Sequence, residues 1–230
     1  MRNLVLITLV FGFSSFSLAE DQKKEASDSF KYSSISIDLI QTDKTAVGAK
    51  ASIPLPGGLY VVLERKVEGI DMSNDSYDRA INAARIGAHA GIGDIFDSIS
   101  AKGLKLGVKN IFDVYAEVGL KSTAYETDIN SFSKDDAKAN VITGIRFGNS
   151  SGWEGKLYVD FSKDSDVALK PCPPNQACPE LIEYELRDET DQKFGAGVLY
   201  NINKRSAVSF EMSSSKIFDS SMKISYQLNF

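Results

Sequence analysis

The side chains able to do chemistry are few. His89 is the single histidine of the chain, set between Ala88 and Ala90 with its nearest serines in sequence at Ser76 and Ser98. One imidazole rules out any site built on two, and a lone His more often supports structure than catalysis, so no catalytic residue is assigned and no enzyme is expected. A zinc site would need further ligands, and the two cysteines have a better use, so neither metal nor cofactor is expected. Cys172 and Cys178 bracket the Pro-rich segment PCPPNQACP. In an oxidising compartment they are expected to form a disulfide closing a short ring, worth about 2 kcal/mol on the chain-entropy account.

The remaining reactive groups are charges, and these keep to one side of a period-two pattern. From Phe112 to Lys121, Phe112, Val114, Ala116, Val118 and Leu120 alternate with Asp113, Tyr115, Glu117, Gly119 and Lys121. That alternation describes a strand with one apolar face. It recurs around Lys50, around Glu64 and Lys66, and around Arg146, Lys156 and Asp160. Lys105, Lys193, Glu211 and Lys223 fall on the same polar side.

Such charges need strands to hold them. Ten segments carry the pattern, at 31–40, 45–54, 58–68, 99–109, 112–124, 139–148, 152–163, 191–202, 205–213 and 220–230. Each is close to the 9–11 residues of a tilted membrane strand. Short turns at 56–58, 110, 149–151 and 203–204 alternate with long loops at 69–98, 125–138 and 164–190. Tight turns on one side, long loops on the other and an even strand count are the arrangement of an outer-membrane barrel. Residues 71–98 stay open between an alternating strand through Ala84, Ile86, Ala88 and Ala90 and a helix begun near Ser76. An echo of Ile95-Phe96-Asp97 at Ile111-Phe112-Asp113 leaves twelve strands open as well.

The N-terminus supplies an export signal. Arg2 precedes the apolar stretch Leu4–Phe13, and Ser17-Leu18-Ala19 carries the small residues of a cleavage site, so residues 1–19 are expected to be removed, leaving 20–230 as one domain. About ten apolar residues fall short of the roughly 20 that a membrane helix needs. The longest later apolar run is Leu59–Leu63, so any membrane crossing must be made by strands. A formal charge of -5 argues against a nucleic-acid surface, which needs clustered positive charge.

The last segment places Met222, Ile224, Tyr226, Leu228 and Phe230 on the apolar side and stops there. On these residues the chain resembles bacterial outer-membrane β-barrel proteins, and among them the small OmpA-like and OmpX-like barrels, although ten strands would exceed the eight of that group. The resemblance implies that Tyr226, Leu228 and Phe230 form a signal for the barrel assembly machinery. It also implies an outer-membrane location among lipids and lipopolysaccharide. The expected fold is therefore an all-β, closed antiparallel up-and-down barrel of ten strands, with eight or twelve as the other counts. A lipocalin-like soluble periplasmic barrel has the same alternation with the faces reversed, so alternation alone does not separate the two.

A barrel this narrow is expected to fill its lumen with side chains. Salt bridges among Lys50, Glu64, Lys66, Glu117, Lys121, Arg146, Lys156 and Asp160 would close it, giving a structural or surface-interaction role. The other reading of the same charges is a narrow porin-like diffusion channel with a cationic bias. The 164–190 loop, stiffened by four prolines and flanked by Glu180, Glu183, Glu185, Asp188, Glu189 and Asp191, is the expected contact for an extracellular ligand.

Overall fold

The computed structural model describes residues 30–42, 45–72, 75–93, 95, 112–126, 137–149, 151–169, 184–217 and 220–230. Ten strands follow in chain order: β1 (Ser34–Gln41), β2 (Thr45–Leu55), β3 (Leu59–Met72), β4 (Asp75–Gly91), β5 (Phe112–Glu126), β6 (Lys138–Gly148), β7 (Trp153–Leu169), β8 (Tyr184–Asn201), β9 (Ser206–Ser215) and β10 (Ser221–Asn229). Each pairs antiparallel with the next, and β1 pairs with β10 from Ser34 opposite Asn229 to Gln41 opposite Met222, so the sheet closes on itself. Closure removes both sheet edges and satisfies the backbone without help from solvent. The expected all-β, closed, ten-stranded antiparallel barrel is the fold found.

The strand membership differs from the sequence reading at one place. The undecided stretch within 71–98 is β4, whose Ile81 to Gly91 lie opposite Thr123 to Asp113 of β5. That direct pairing fills the position beside β5 that had been given to 99–109, a segment outside the described residues. The cause is composition: β4 carries small residues on both faces, so the contrast between faces is weak and the strand reads like an Ala-rich helix.

The connections differ too. β3 and β4 run to Met72 and Asp75, so 69–98 holds a strand hairpin in place of a long loop. β7 and β8 likewise extend to Leu169 and Tyr184, so 164–169 and 184–190, read as loop, are paired strand. The tight connections at 56–58, 149–152 and 202–205 share one end of the barrel, called here the tight-turn end; Gly57 and Gly58 make the first with φ of 80° and 75°, a backbone favourable to glycine. β4 finishes at this same end, beside Leu59. The strand ends at Glu126, Lys138, Leu169 and Tyr184 stand at the opposite end, called here the loop end.

The faces are inverted relative to a water-soluble barrel. Ile37 is 68% exposed and Val118 61% on the outside, whereas Arg85 is 4% and Glu117 5% exposed on the inside. Ile86, Leu120, Leu157, Phe194, Ile224 and Leu228 continue the exterior band. Contiguous apolar surface on this scale far exceeds the few hundred Å² that water-soluble monomers expose. Trp153 and Tyr200, with ring centroids 4.7 Å apart, close the band at the tight-turn end.

Candidate functional site

Among the described residues the lumen gathers buried charge, and alternation along each strand is what aims it there. Two ionic groups face one another across its middle. On one wall, Arg85 of β4 donates from Nη2 to Glu64 Oε2 of β3 at 2.6 Å, from Nε to Glu117 Oε2 of β5 at 2.8 Å and from Nη1 to Asn140 Oδ1 of β6 at 3.2 Å. Tyr60 Oη adds a bond to Glu117 Oε1 at 3.1 Å, and Asn140 Nδ2 passes the chain on to Asp160 Oδ1 at 2.5 Å. On the other wall, Glu211 of β9 accepts from Tyr158 Oη at 2.8 Å, Lys223 Nζ at 3.0 Å and Lys156 Nζ at 3.3 Å. Glu117 and Glu211 thus each meet several donors, the condition under which buried charge is tolerated.

Three tyrosines are seated by glycines on neighbouring strands. A Cβ on Gly87, Gly144 or Gly195 would collide with the ring of Tyr60, Tyr115 or Tyr158 respectively. The glycines let each ring lie flat along the wall and project its hydroxyl inward.

Two cavities flank this middle layer. One of about 130 Å³ lies toward the tight-turn end against Lys31, Tyr32, Arg146 and Glu154. The other, about 80 Å³, lies toward the loop end against Ile40, Lys66, Asp160 and Lys193. They share Lys50, Tyr115, Glu117, Lys156, Glu211 and Lys223, so side chains alone divide one from the other.

Each end of the lumen is also narrowed. At the loop end Lys121 Nζ bonds Asp164 Oδ2 at 2.5 Å and Ser162 Oγ at 3.1 Å, with Thr123 Oγ1 on the second carboxylate oxygen at 2.9 Å. At the tight-turn end the chain ahead of β1 enters the barrel. Phe30 is buried, and the Arg146 guanidinium lies 5.2 Å from its ring centre and 4.8 Å from that of Tyr32. Arg146 also donates to the Lys31 carbonyl at 2.7 Å and pairs with Glu154.

The structure places Lys50, Glu64, Lys66, Glu117, Lys121, Arg146, Lys156 and Asp160 on the interior face, together with Lys193, Glu211 and Lys223. Lys105, Cys172 and Cys178 lie outside the described residues, as does the signal segment 1–19. Tyr226, Leu228 and Phe230 are on the exterior. The acidic flank of the 164–190 loop is a correction: Glu185, Asp188, Glu189 and Asp191 belong to β8, and Glu180 and Glu183 lie outside the described residues. Asp191 is buried and accepts from Ser215 Oγ at 2.7 Å and the Lys216 amide at 3.1 Å, while Asp188 pairs with Lys138 at 2.5 Å.

Arg85, Asn140, Glu154 and Tyr32 were not anticipated. Arg85 had a signal, since Arg79, Ile81, Ala83, Arg85, Gly87 and His89 alternate against Ala84, Ile86 and Ala88. Glu154 continues the Lys156, Tyr158, Asp160 face. Tyr32 lies ahead of the first strand, where no periodicity marks it. His89 bonds through Nδ1 to Asp113 Oδ2 at 3.1 Å and stacks on Tyr32.

No family model matches the chain, and no curated protein matches it. Among solved structures the chain is similar to the KdgM porin, with 8% identity and a TM-score of 0.40, over 86% of this chain and 99% of that one. It is similar to the KdgM porin in complex with disordered oligogalacturonate at 8% identity and a TM-score of 0.38, over 86% and 99%. It is also similar to the beta domain of the Bordetella autotransporter BrkA at 11% identity and a TM-score of 0.32, over 86% and 97%.

Proposed function

We propose that this chain is an outer-membrane β-barrel whose lumen is a narrow, porin-like passage for ions and small polar solutes, resting in a closed state. The membrane placement is supported by the inverted faces, because a bilayer is the solvent that accepts an exterior built from Ile37, Ile86, Val118 and Leu120 around a charged interior. The single observation that carries the passage is the pair of polar cavities along the lumen, divided by the movable ends of Lys50, Lys156, Lys223, Glu117 and Glu211. A barrel sealed for mechanical reasons could fill that layer with apolar side chains at less desolvation cost.

The competing reading is a sealed barrel with a structural or surface role, and the Arg85 network favours it, since one guanidinium bonds three strands at once. Current through planar bilayers separates the two. Refolded protein is expected to give small, discrete conductance steps, whereas silence from protein that has inserted would establish the sealed barrel.

The rest of the biogenesis follows from the same reading. Residues 1–19 act as the export signal, Tyr226, Leu228 and Phe230 engage the assembly machinery, and Cys172 bonds Cys178 in the 170–183 connection, whose outer tip meets lipopolysaccharide or an extracellular ligand. The OmpA-like and OmpX-like grouping rests on the terminal strand and the strand-and-loop pattern, and the ten strands exceed the eight of that group.

A further inference from the structure

The carboxylates of the middle layer are already engaged, and one cation among them is not. Glu64 is taken by Arg85; Glu117 by Arg85 and Tyr60; Glu211 by Lys156, Lys223 and Tyr158. Lys50 lies opposite Glu64 on β3 and Ser36 on β1. It forms no hydrogen bond or ion pair among the described residues, and it lines both cavities. Arg85, Lys156 and Lys223 stand in the same layer, so four cations there face three carboxylates, those of Glu64, Glu117 and Glu211.

An ammonium with unused donors, held in a narrow tube with low-dielectric walls, focuses a positive potential on the space beside it. A passing anion could gain hydrogen bonds from Lys50 without displacing an existing partner. A passing cation would meet carboxylates already bonded to cations, with an ammonium beside them whose donors are unused. Rings of charged side chains set selectivity in this way.

We infer that Lys50 is the anion-coordinating residue of the constriction, which makes the passage selective for small inorganic and carboxylate anions. This inference rests on the channel reading above. Its failure is separable, because a passage can conduct without preferring anions.

The test is the reversal potential of single barrels under a potassium chloride gradient, for the native chain and for Lys50→Gln, Lys50→Glu and Lys50→Arg, each first shown to fold by its gel shift on boiling. The native barrel is expected to favour chloride over potassium. Lys50→Gln should lower that permeability ratio by about threefold to tenfold, Lys50→Glu should reverse it, and Lys50→Arg should preserve it. A native barrel that favours potassium, or a ratio unmoved in both Lys50→Gln and Lys50→Glu, overturns the inference while leaving the passage standing. Silence from inserted native protein removes the passage and the inference together.

Discussion

The ring of Tyr32 lies stacked on the imidazole of His89, with centroids 3.9 Å apart and planes inclined by 15°. This contact ties the chain ahead of β1 to β4. His89 is fixed in turn by Asp113 at 3.1 Å, and Tyr32 by the Arg146 guanidinium at 4.8 Å. The protein therefore narrows its own tight-turn end with residues that belong to no strand.

Removing that ring should widen the mouth. Tyr32→Ala leaves the Arg146–Glu154 pair in place but deletes the surface on which both His89 and Arg146 rest. Unit conductance in planar bilayers is expected to rise by less than about twofold, because the mouth lies in series with the middle-layer constriction. Equal conductance in native and variant barrels would place the limiting resistance elsewhere.

Arg85 should be the most costly interior residue to truncate. Arg85→Ala leaves Glu64 and Glu117 without their guanidinium, and breaking a buried pair in this way costs about 3–5 kcal/mol. Urea unfolding in detergent micelles, followed by the fluorescence of Trp153, the single tryptophan, measures it. Adding Glu117→Gln to Arg85→Ala should recover part of the loss, since it removes one of the stranded charges.

The seat of Tyr158 on Gly195 makes a reciprocal pair. Gly195→Val forces a side chain into the ring and should destabilise the barrel by about 1–3 kcal/mol, the usual cost of overpacking. Combining it with Tyr158→Ala empties the ring's place, so the double variant should unfold at a higher urea concentration than the sum of the single losses implies.

Trp153 and Tyr200 should mark a membrane interface. In vesicles containing brominated lipids, Trp153 fluorescence should be quenched more by bromines near the headgroups than by bromines at the acyl-chain ends, because amphipathic aromatics sit at that level. Stronger quenching from the chain ends would move the apolar band's edge beyond Trp153.

Strands with strong contrast between faces were legible from sequence alone. β5 sets Phe112, Val114 and Val118 against Asp113, Tyr115 and Glu117, and the structure turns the first set outward and the second inward. β4 was not legible, because Ala84 and Ala88 outside and Ala83 and Gly87 inside differ little in hydropathy. Its small interior residues are there for partners in space, Gly87 for the ring of Tyr60 above all, and spatial pairing leaves no mark on local periodicity. The lumen's polar face was readable, yet its wiring was not: Lys156 alternates like any interior charge, and only register brings it to Glu211 while Lys50 is left beside carboxylates already engaged. The loop boundaries failed for a related reason, since β7 and β8 carry their pairing past the apolar band into polar sequence up to Leu169 and Tyr184.

The inverted barrel itself is tested most directly by fractionating cells that express the full chain and running the outer-membrane fraction unheated and boiled in mild detergent. The protein is expected in the outer-membrane fraction, with a band that changes mobility on boiling as the closed sheet opens. A soluble periplasmic protein with one mobility under both conditions would contradict the account, for an exterior of exposed Ile37, Val118, Leu157 and Phe194 has no place in water.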